Sequence, residues 1–174
     1  MTTAQELSLV KKAKKGNKEA LSELWSQITP KLYGYLLNVL KNKQLAEDIL
    51  QNTWLKAIDK LDSFKPRGVR FSAWLFAIAR NECRQHWRKT AQQVNINIDD
   101  LEIGETTSSR EMENNLMIEA AFKSLNKKEQ ELLRLRYIAQ LSFKDIAQVL
   151  EISVVAARVR THRVLKKAQN NFID

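Results

Sequence analysis

The basic side chains near the C-terminus have the types and spacing best suited to chemistry. From Val154 to Ala168 the sequence contains no acidic residue. An arginine guanidinium can donate two parallel hydrogen bonds to guanine, and a lysine ammonium can neutralise a phosphate. The segment therefore predicts contact with DNA. Its five basic residues are Arg158, Arg160, Arg163, Lys166 and Lys167.

Two short amphipathic helices are predicted to position these cations. Ser142 can cap a helix that carries Asp145 three residues later, and Phe143, Ile146, Ala147 and Leu150 follow with helical spacing. After a break at Glu151 and Ile152, Ser153 can cap a second helix. The pattern is typical of a helix-turn-helix, whose second helix enters the major groove. The residues expected to face DNA are Arg158, Val159, His162, Arg163 and Lys166.

A surface helix pair whose basic face is only solvated is the alternative interpretation. We favour DNA contact because two caps, a short break and an acid-free basic face coincide. One residue departs from the pattern. Glu151 occupies the turn position where a left-handed backbone, and hence glycine, is expected, so the turn is predicted to be strained or differently shaped.

A second basic region, from Lys60 to Lys89, is interleaved with aromatic residues. Pro66 and Gly68 break the helical pattern and leave a basic loop. Cations can follow a nucleic-acid backbone while rings receive unstacked bases, so the mixture suits single-stranded nucleic acid. For the aromatic residues we favour the alternative, a place in the core, because Phe71, Trp74 and Phe76 have helical spacing. The polar candidates are Lys65, Arg67, Arg70, Arg80, Asn81, Arg84, Gln85 and Arg88.

Composition agrees with a nucleic-acid binder. The 174 residues include 29 Lys and Arg against 20 Asp and Glu, a formal net charge of +9, which favours a polyanion such as DNA, RNA or an anionic membrane surface. The N-terminus lacks the apolar run of a signal peptide, and no stretch is apolar enough to span a membrane. The single cysteine, Cys83, excludes an internal disulfide. We therefore expect a cytoplasmic protein.

Enzyme and metal functions have little support in the sequence. Cys83 and His86 could form half of a metal site, but the one other histidine, His162, lies in the predicted second helix of the helix-turn-helix. Neither glycine-rich phosphate-binding motif occurs. We expect no cofactor, no metal and no catalytic residue.

The predicted fold is all-α, with two small helical domains joined by a flexible acidic linker. The first domain covers residues 1–90, the linker 91–115, and the second domain, which contains the helix-turn-helix, 116–174. In the first domain Gly16 and Asn17 end one helix and cap the next, and Pro30 marks the start of another. In the second, Asn126 can cap a helix with Glu129 in its first turn.

Two further helices of the first domain are predicted from their apolar stripes. The stripe of one helix contains Trp54, Ala57, Ile58 and Leu61, and that of the next contains Phe71, Trp74, Leu75 and Ile78.

Several linked segments resemble a known family. They are GNKEALSELW from Gly16, AEDILQNTWLKAIDKLDSF from Ala46, FSAWLFAIARNECRQHWRK from Phe71, and SFKDIAQVLEISVVAARVRTHRVLKKA from Ser142. Their order and spacing resemble bacterial sigma factors of the extracytoplasmic-function group, over nearly the whole chain. The resemblance implies a protein without catalysis of its own that binds core RNA polymerase and promoter DNA, and no membrane. Members often have an anti-sigma factor, although no residue here demonstrates one.

The resemblance also assigns roles to residues. It implies that Glu47, Asp48, Gln51 and Asn52 dock on the polymerase beta-prime subunit. It implies that the loop from Lys65 to Arg70, with the polar face of the following helix, captures a flipped base of the melted −10 element. The second helix of the helix-turn-helix would read the −35 element. A stand-alone helix-turn-helix regulator remains the alternative function.

Overall fold

The structure is a computed structural model that describes residues 1–66, 68–94, 122 and 124–170, except for the side chains of residues 93 and 94. The chain divides into two compact units, residues 1–104 and 105–174. Within the described ranges the regular structure is helical. The prediction of an all-α fold with two small helical parts is confirmed. The predicted linker lies outside the described residues from residue 95 onward.

The described part of unit 1, up to residue 94, contains four helices: α1 (Thr3–Ala13), α2 (Lys18–Leu40), α3 (Lys43–Asp59) and α4 (Phe71–Val94). The first three begin at side-chain caps, which satisfy backbone N–H groups that have no partner inside the helix. Asn17, for example, accepts a hydrogen bond of 2.7 Å from the backbone N–H of Ala20. Gly16, with a φ of 82°, ends the turn before it. The predicted break at Gly16 and Asn17 is confirmed.

The core of unit 1 is built around Trp54 of α3, which is fully buried. Its ring lies 4.8 Å from that of Trp25 and 6.1 Å from that of Phe71. Its Nε1–H donates to Thr29 Oγ1 over 3.1 Å, so the one polar atom of the side chain is satisfied. Because these contacts come from α2 and α4, Trp54 joins three helices.

Pro30 does not begin a helix as predicted. It lies inside α2, which continues unbroken from Lys18 to Leu40. Proline removes one backbone hydrogen bond and costs about 3 kcal/mol within a helix. The buried stripe of α2 continues on both sides of Pro30, with Ile28 before it and Leu32, Tyr35 and Leu36 after it. Burial of each such side chain contributes about 1.5–3 kcal/mol, which together outweighs the proline.

The predicted apolar stripes of α3 and α4 are shifted. Ile58 is 42% exposed, because the buried side of α3 is centred on Ala46, Ile49, Leu50, Thr53, Trp54 and Ala57 and Ile58 lies past its edge. On α4, Trp74 and Ile78 are only half-buried, whereas Phe71 and Leu75 are buried as predicted. The spacing of apolar residues over a few turns located these helices correctly but misplaced the centres of their buried faces.

From residue 124 to residue 170, the structure describes three α-helices of unit 2. They are α5 (Lys127–Leu133), which continues into a π-helical turn (Arg134–Ile138), α6 (Phe143–Val149) and α7 (Val154–Asn170). The predicted caps are confirmed. Asn126 and Glu129 form a reciprocal capping box on α5, and Ser142 and Asp145 form one on α6. Ser153 Oγ accepts from the backbone N–H of Ala156 over 3.1 Å at the start of α7.

An ion pair links α5 and α7 of unit 2. Lys167 Nζ of α7 lies 2.9 Å from Glu129 Oε2 of α5. The hydrogen bond from Lys167, followed by that from the backbone N–H of Asn126, lowers the pKa of the Glu129 carboxyl from its usual 4.5. A lowered pKa means that folding favours the ionised form. The resulting stability is present above the unfolded-state pKa and is lost as the pH falls through the folded-state pKa.

Glu129→Gln should therefore destabilise unit 2 at neutral pH by roughly 0.2–1 kcal/mol, the range of an exposed ion pair. The difference from the parent should shrink as the pH falls below the usual carboxyl pKa of 4.5 and the folded state also becomes protonated. Far-UV circular dichroism follows both units, whereas tryptophan fluorescence follows unit 1, which contains all four tryptophans. Lys167→Met should show the same pH dependence. A difference that persists undiminished near pH 3 would contradict this assignment.

Candidate nucleic-acid interfaces

The turn between α6 and α7 has the left-handed residue that the sequence predicted. Glu151 has a φ of 56°. Its N–H donates to the Gln148 carbonyl over 3.3 Å, and the Ile152 N–H donates to the Ala147 carbonyl over 2.9 Å. This pair of bonds is the Schellman motif that ends many helices. The turn therefore keeps its usual hydrogen bonds although a glutamate occupies the position that glycine normally fills.

The faces of α7 agree with the predicted orientation. Ala157, Thr161, Val164 and Ala168 are buried, and Leu165 is half-buried. The Thr161 hydroxyl donates to the Ala157 carbonyl over 2.7 Å, so a polar group is tolerated on the inward side. All five residues predicted to face DNA are exposed, namely Arg158, Val159, His162, Arg163 and Lys166. Burial of one stripe thus presents the basic stripe outward.

Phe143, which belongs to the apolar stripe predicted for α6, also contacts this basic face. Phe143 is only half-buried, and the guanidinium carbons of Arg136 and Arg158 lie 4.8 and 5.7 Å from the centre of its ring. Such cation–π contacts restrict the guanidinium orientation. Beside them lies a groove of about 520 Å³ that is lined by Tyr137, by Phe143 and by side chains of α7. Tyr137 was not among the predicted site residues, because one aromatic residue in a helical segment does not indicate a binding surface.

The second basic face lies on α4. Asn81, Arg84, Gln85 and Arg88 are exposed and line a shallow depression of about 340 Å³ together with Trp87. Arg80 is half-buried at the edge of this face. In the loop before α4, Lys65 is exposed, and Arg67 lies outside the described residues. The structure thus brings four of the predicted side chains together with one aromatic ring.

Arg70 is held by a buried carboxylate. Its Nε and Nη2 donate to Glu6 Oε2 of α1 over 3.0 and 2.6 Å. Glu6 is only 1% exposed. Contact of Arg70 with DNA stays a prediction, and the ion pair gives this residue a structural role that the sequence did not suggest. The sequence did contain a signal that Glu6 is buried, since Glu6 shares helical spacing with the buried residues Leu9, Val10 and Ala13.

The aromatic residues before and within α4 are core residues, as favoured from the sequence. Phe64, Phe71 and Phe76 are buried and Trp74 is half-buried. The Phe64 ring packs edge-on against Phe71, with centroids 5.6 Å apart, and lies 5.0 Å from Trp74. The floor beneath the basic loop is therefore a packed aromatic cluster.

A third exposed face lies on α3. Glu47, Asp48, Gln51 and Asn52 are all exposed, and the Tyr33 hydroxyl donates to Glu47 Oε1 over 3.3 Å. One turn further along, Leu55 is 61% exposed. The side of α3 next to its buried stripe is tied to α4 by Lys56, whose Nζ contacts both carboxylate oxygens of Glu82 at 2.6 Å. The exposed polar face of α3 and the basic face of α4 therefore lie on helices that are held together by this ion pair.

The described residues define a class of protein: a chain of two helical units, one with four helices and exposed basic side chains and one with a helix-turn-helix. Among the described residues no group of three or more metal-ligating side chains gathers. No helix in the described part of the chain is long and apolar enough to cross a membrane.

Comparisons with known proteins narrow the class. Residues 24–93 match the model of Sigma-70 region 2, and residues 115–167 match that of Sigma-70 region 4. The ECF RNA polymerase sigma factor SigW of Bacillus subtilis is 30% identical over 171 residues, 88% of this chain and 89% of SigW. The chain belongs to the sigma-70 family, in the extracytoplasmic-function (ECF) group.

Two other relatives agree. The ECF RNA polymerase sigma factor BldN of Streptomyces coelicolor is 26% identical over 170 residues, which cover 94% of this chain and 64% of BldN. The solved structure of the sigma factor RpoE in complex with the anti-sigma factor NepR, from Bartonella quintana, shares the fold with a TM-score of 0.70. Its identity is 23%, over 87% of this chain and 95% of that chain.

The left-handed glutamate in the turn generates a stability prediction. Glu151→Gly should stabilise unit 2 by roughly 0.5–1 kcal/mol, because glycine removes the steric cost of a left-handed backbone and this gain exceeds its larger entropy loss. Glu151→Ala is the matched control and should give no gain, since it removes the charge but keeps the Cβ. Chemical denaturation followed by far-UV circular dichroism measures both. Equal stabilisation by the two variants would show that the charge, not the backbone, is unfavourable.

Proposed function

We propose that this chain binds core RNA polymerase and directs it to promoters through two surfaces that act on different forms of DNA. The −35 element is read as duplex by α7, and the −10 element is captured as a melted strand by the loop 65–70 and α4. The observation that carries the proposal is the presence of two exposed basic faces of different construction, one on each unit.

The face of α7 suits duplex DNA. Arg158, Arg163 and Lys166 are exposed on a helix that starts at a tight turn, the arrangement of a helix that enters the major groove. The Phe143 ring restricts the orientation of the Arg158 guanidinium, which lines the same groove as Tyr137. A pre-oriented guanidinium loses less entropy when it binds a guanine edge.

The face of α4 suits an unpaired strand. Asn81 and Gln85 offer amide groups that can hydrogen-bond a base edge, Arg84 and Arg88 can contact phosphates, and the Trp87 ring lines the same depression. Lys65 adds an exposed charge in the loop before α4. Flipping a base costs a few kcal/mol, which these contacts would offset.

The polar face of α3 is the proposed polymerase-docking surface. Glu47, Asp48, Gln51 and Asn52 point to solvent from a helix that is rigidly packed through Trp54 and Lys56. Hydrogen-bonding groups on a rigid helix face suit specific protein recognition, because little conformational entropy is lost on binding.

The remaining proposals follow from the family. The chain acts in the cytoplasm and has no catalytic activity of its own. By analogy with RpoE, whose solved complex contains the anti-sigma factor NepR, we propose an anti-sigma factor as a further partner. This likeness is one of fold.

A gel shift on a pool of genomic duplex fragments tests the function against the alternative of a stand-alone regulator. The pool is incubated with the chain alone, with core polymerase alone and with both. A sigma factor shifts a specific subset only when both proteins are present. A specific shift of the same subset by the chain alone would instead support a regulator that binds without polymerase.

The two DNA faces should give reciprocal phenotypes in the reconstituted holoenzyme. Arg158→Ala or Arg163→Ala should weaken duplex promoter binding by about 1–3 kcal/mol if the arginine donates two hydrogen bonds to a guanine. Either variant should still allow initiation on a pre-melted template. Asn81→Ala should leave duplex binding nearly intact and lower open-complex formation severalfold, since a hydrogen bond contributes about 0.5–1.5 kcal/mol.

Filter binding measures the first effect, and permanganate reactivity of thymines near the start site measures the second. Arg160→Ala is the matched control on α7, because it removes an exposed cation that is not assigned to base reading. If the Arg158 and Arg163 variants keep the parent's sequence preference, α7 does not read the −35 element. If Asn81→Ala opens promoters like the parent, α4 does not capture the melted strand.

A further inference from the structure

We propose that α1 positions the loop that captures the −10 base, through Glu6 at one end of the loop and Lys14 at the other. The base-capture loop is residues 65–70, between the turn that follows α3 and the start of α4. The inference rests on the proposed function, because it assigns a purpose to the way this loop is held. It makes Glu6 and Lys14 positioning residues that need not touch DNA.

Lys14 holds the entry of the loop. Its Nζ donates to the backbone carbonyl of Asp62 over 3.0 Å and to that of Phe64 over 2.5 Å. Both carbonyls belong to the turn that follows α3, and the second immediately precedes Lys65. The bonds join residues that are 48 and 50 positions apart in the sequence. A single ammonium thus fixes the backbone from which the loop departs.

Glu6 holds the exit of the loop. Its Oε1 accepts from the backbone N–H of Ser72 over 2.5 Å, and its Oε2 accepts from Arg70 Nη2 over 2.6 Å. The backbone N–H groups at the start of α4 have no partner within the helix, so a buried carboxylate there acts as a cap supplied by another helix. One side chain thereby fixes the last residue of the loop and the first turn of α4.

The two tethers are complemented by the aromatic floor. Phe64 and Phe71, which flank the loop, are both buried and their rings contact each other. Between them Lys65, Pro66 and Gly68 are exposed, and the Gly68 N–H closes a tight turn onto the Pro66 carbonyl over 2.8 Å. The loop therefore has fixed ends and an exposed tip, which is the arrangement expected of a pre-organised binding loop.

Both tethers come from α1 and its C-cap residue, although α1 carries none of the proposed DNA-contacting residues. Glu6 lies in the first turn of α1, and Lys14 is the residue that caps its C-terminal end. A rigid helix that bridges both ends sets their separation more firmly than two independent contacts would. The position of Lys65 relative to Asn81 on α4 then depends on α1.

Lys14→Met is the decisive variant, since Lys14 lies at the rim of the core and methionine retains its aliphatic stem. Lys11→Met is its matched control, because Lys11 is an exposed lysine of the same helix. Holoenzymes are formed at saturating chain concentration on a promoter selected from the genomic pool. Permanganate reactivity is compared between this promoter and versions with each −10 base substituted in turn. Thermal unfolding and holoenzyme assembly are measured in parallel.

Lys14→Met should reduce the discrimination between the preferred and substituted −10 bases by about tenfold, the value of a charged hydrogen bond. Lys11→Met should match the parent. Glu6→Gln, which retains an acceptor for the Ser72 N–H but loses the ion pair with Arg70, should also lower discrimination. A purely structural role would lower the unfolding temperature and the amount of holoenzyme without changing base preference.

Equal discrimination by Lys14→Met, Lys11→Met and the parent overturns the inference, whatever the unfolding temperature. The double variant Lys65→Ala with Arg67→Ala separates this outcome from failure of the proposed function. If the double variant loses opening while Lys14→Met keeps the parent's discrimination, only the positioning role of α1 is wrong. If the double variant opens promoters like the parent, the loop does not capture DNA and both proposals fall.

Discussion

Burial of one stripe on each helix is the constraint on which the rest of the structure depends. An α-helix has 3.6 residues per turn, so apolar residues spaced by three and four positions lie on one side of the helix. Burial of that side leaves the opposite side exposed to solvent. On α7 the burial of Ala157 and Val164 turns Arg163 outward, and on α4 the burial of Ala79 and Cys83 does the same for Arg84. The exposed polar faces are the complement of the core. The faces proposed to bind DNA and polymerase need no pocket, because DNA and a partner protein would bring their own surfaces.

Polar side chains then fix where each helix begins and how the helices meet. Thr2, Asn17, Asn42, Asn126, Ser142 and Ser153 cap their own helices, whereas α4 receives its cap from Glu6 on a different helix. A cap from within the segment costs little and acts locally. A cap from another helix couples two parts of the fold, because the start of α4 is capped by Glu6 only when α1 is packed against it. This coupling places the orientation of the α4 face under the control of tertiary structure.

The features that could be predicted from the sequence are those decided within a few residues. The three caps of unit 2, the left-handed Glu151 and the outward face of α7 follow from local spacing. The features that could not be predicted depend on partners distant in the sequence. Pro30 was expected to start a helix, because its cost is local while the burial that offsets it comes from other helices. The exposure of Ile58 and the ion pair of Arg70 with Glu6, 64 positions away, were not predicted for the same reason: both depend on how distant helices pack. Arg67 and the acidic segment from residue 95 lie outside the described residues.

Run-off transcription tests the central claim, that this chain gives core polymerase its promoter specificity, most directly. Templates from a genomic fragment pool are transcribed by core polymerase with and without the chain, and the 5′ ends of the transcripts are mapped. The account predicts discrete start sites that require the chain and that share two upstream sequence elements, one in the −10 region and one in the −35 region. Transcripts that form equally well without the chain, or the absence of any chain-dependent start site across the pool, would contradict it.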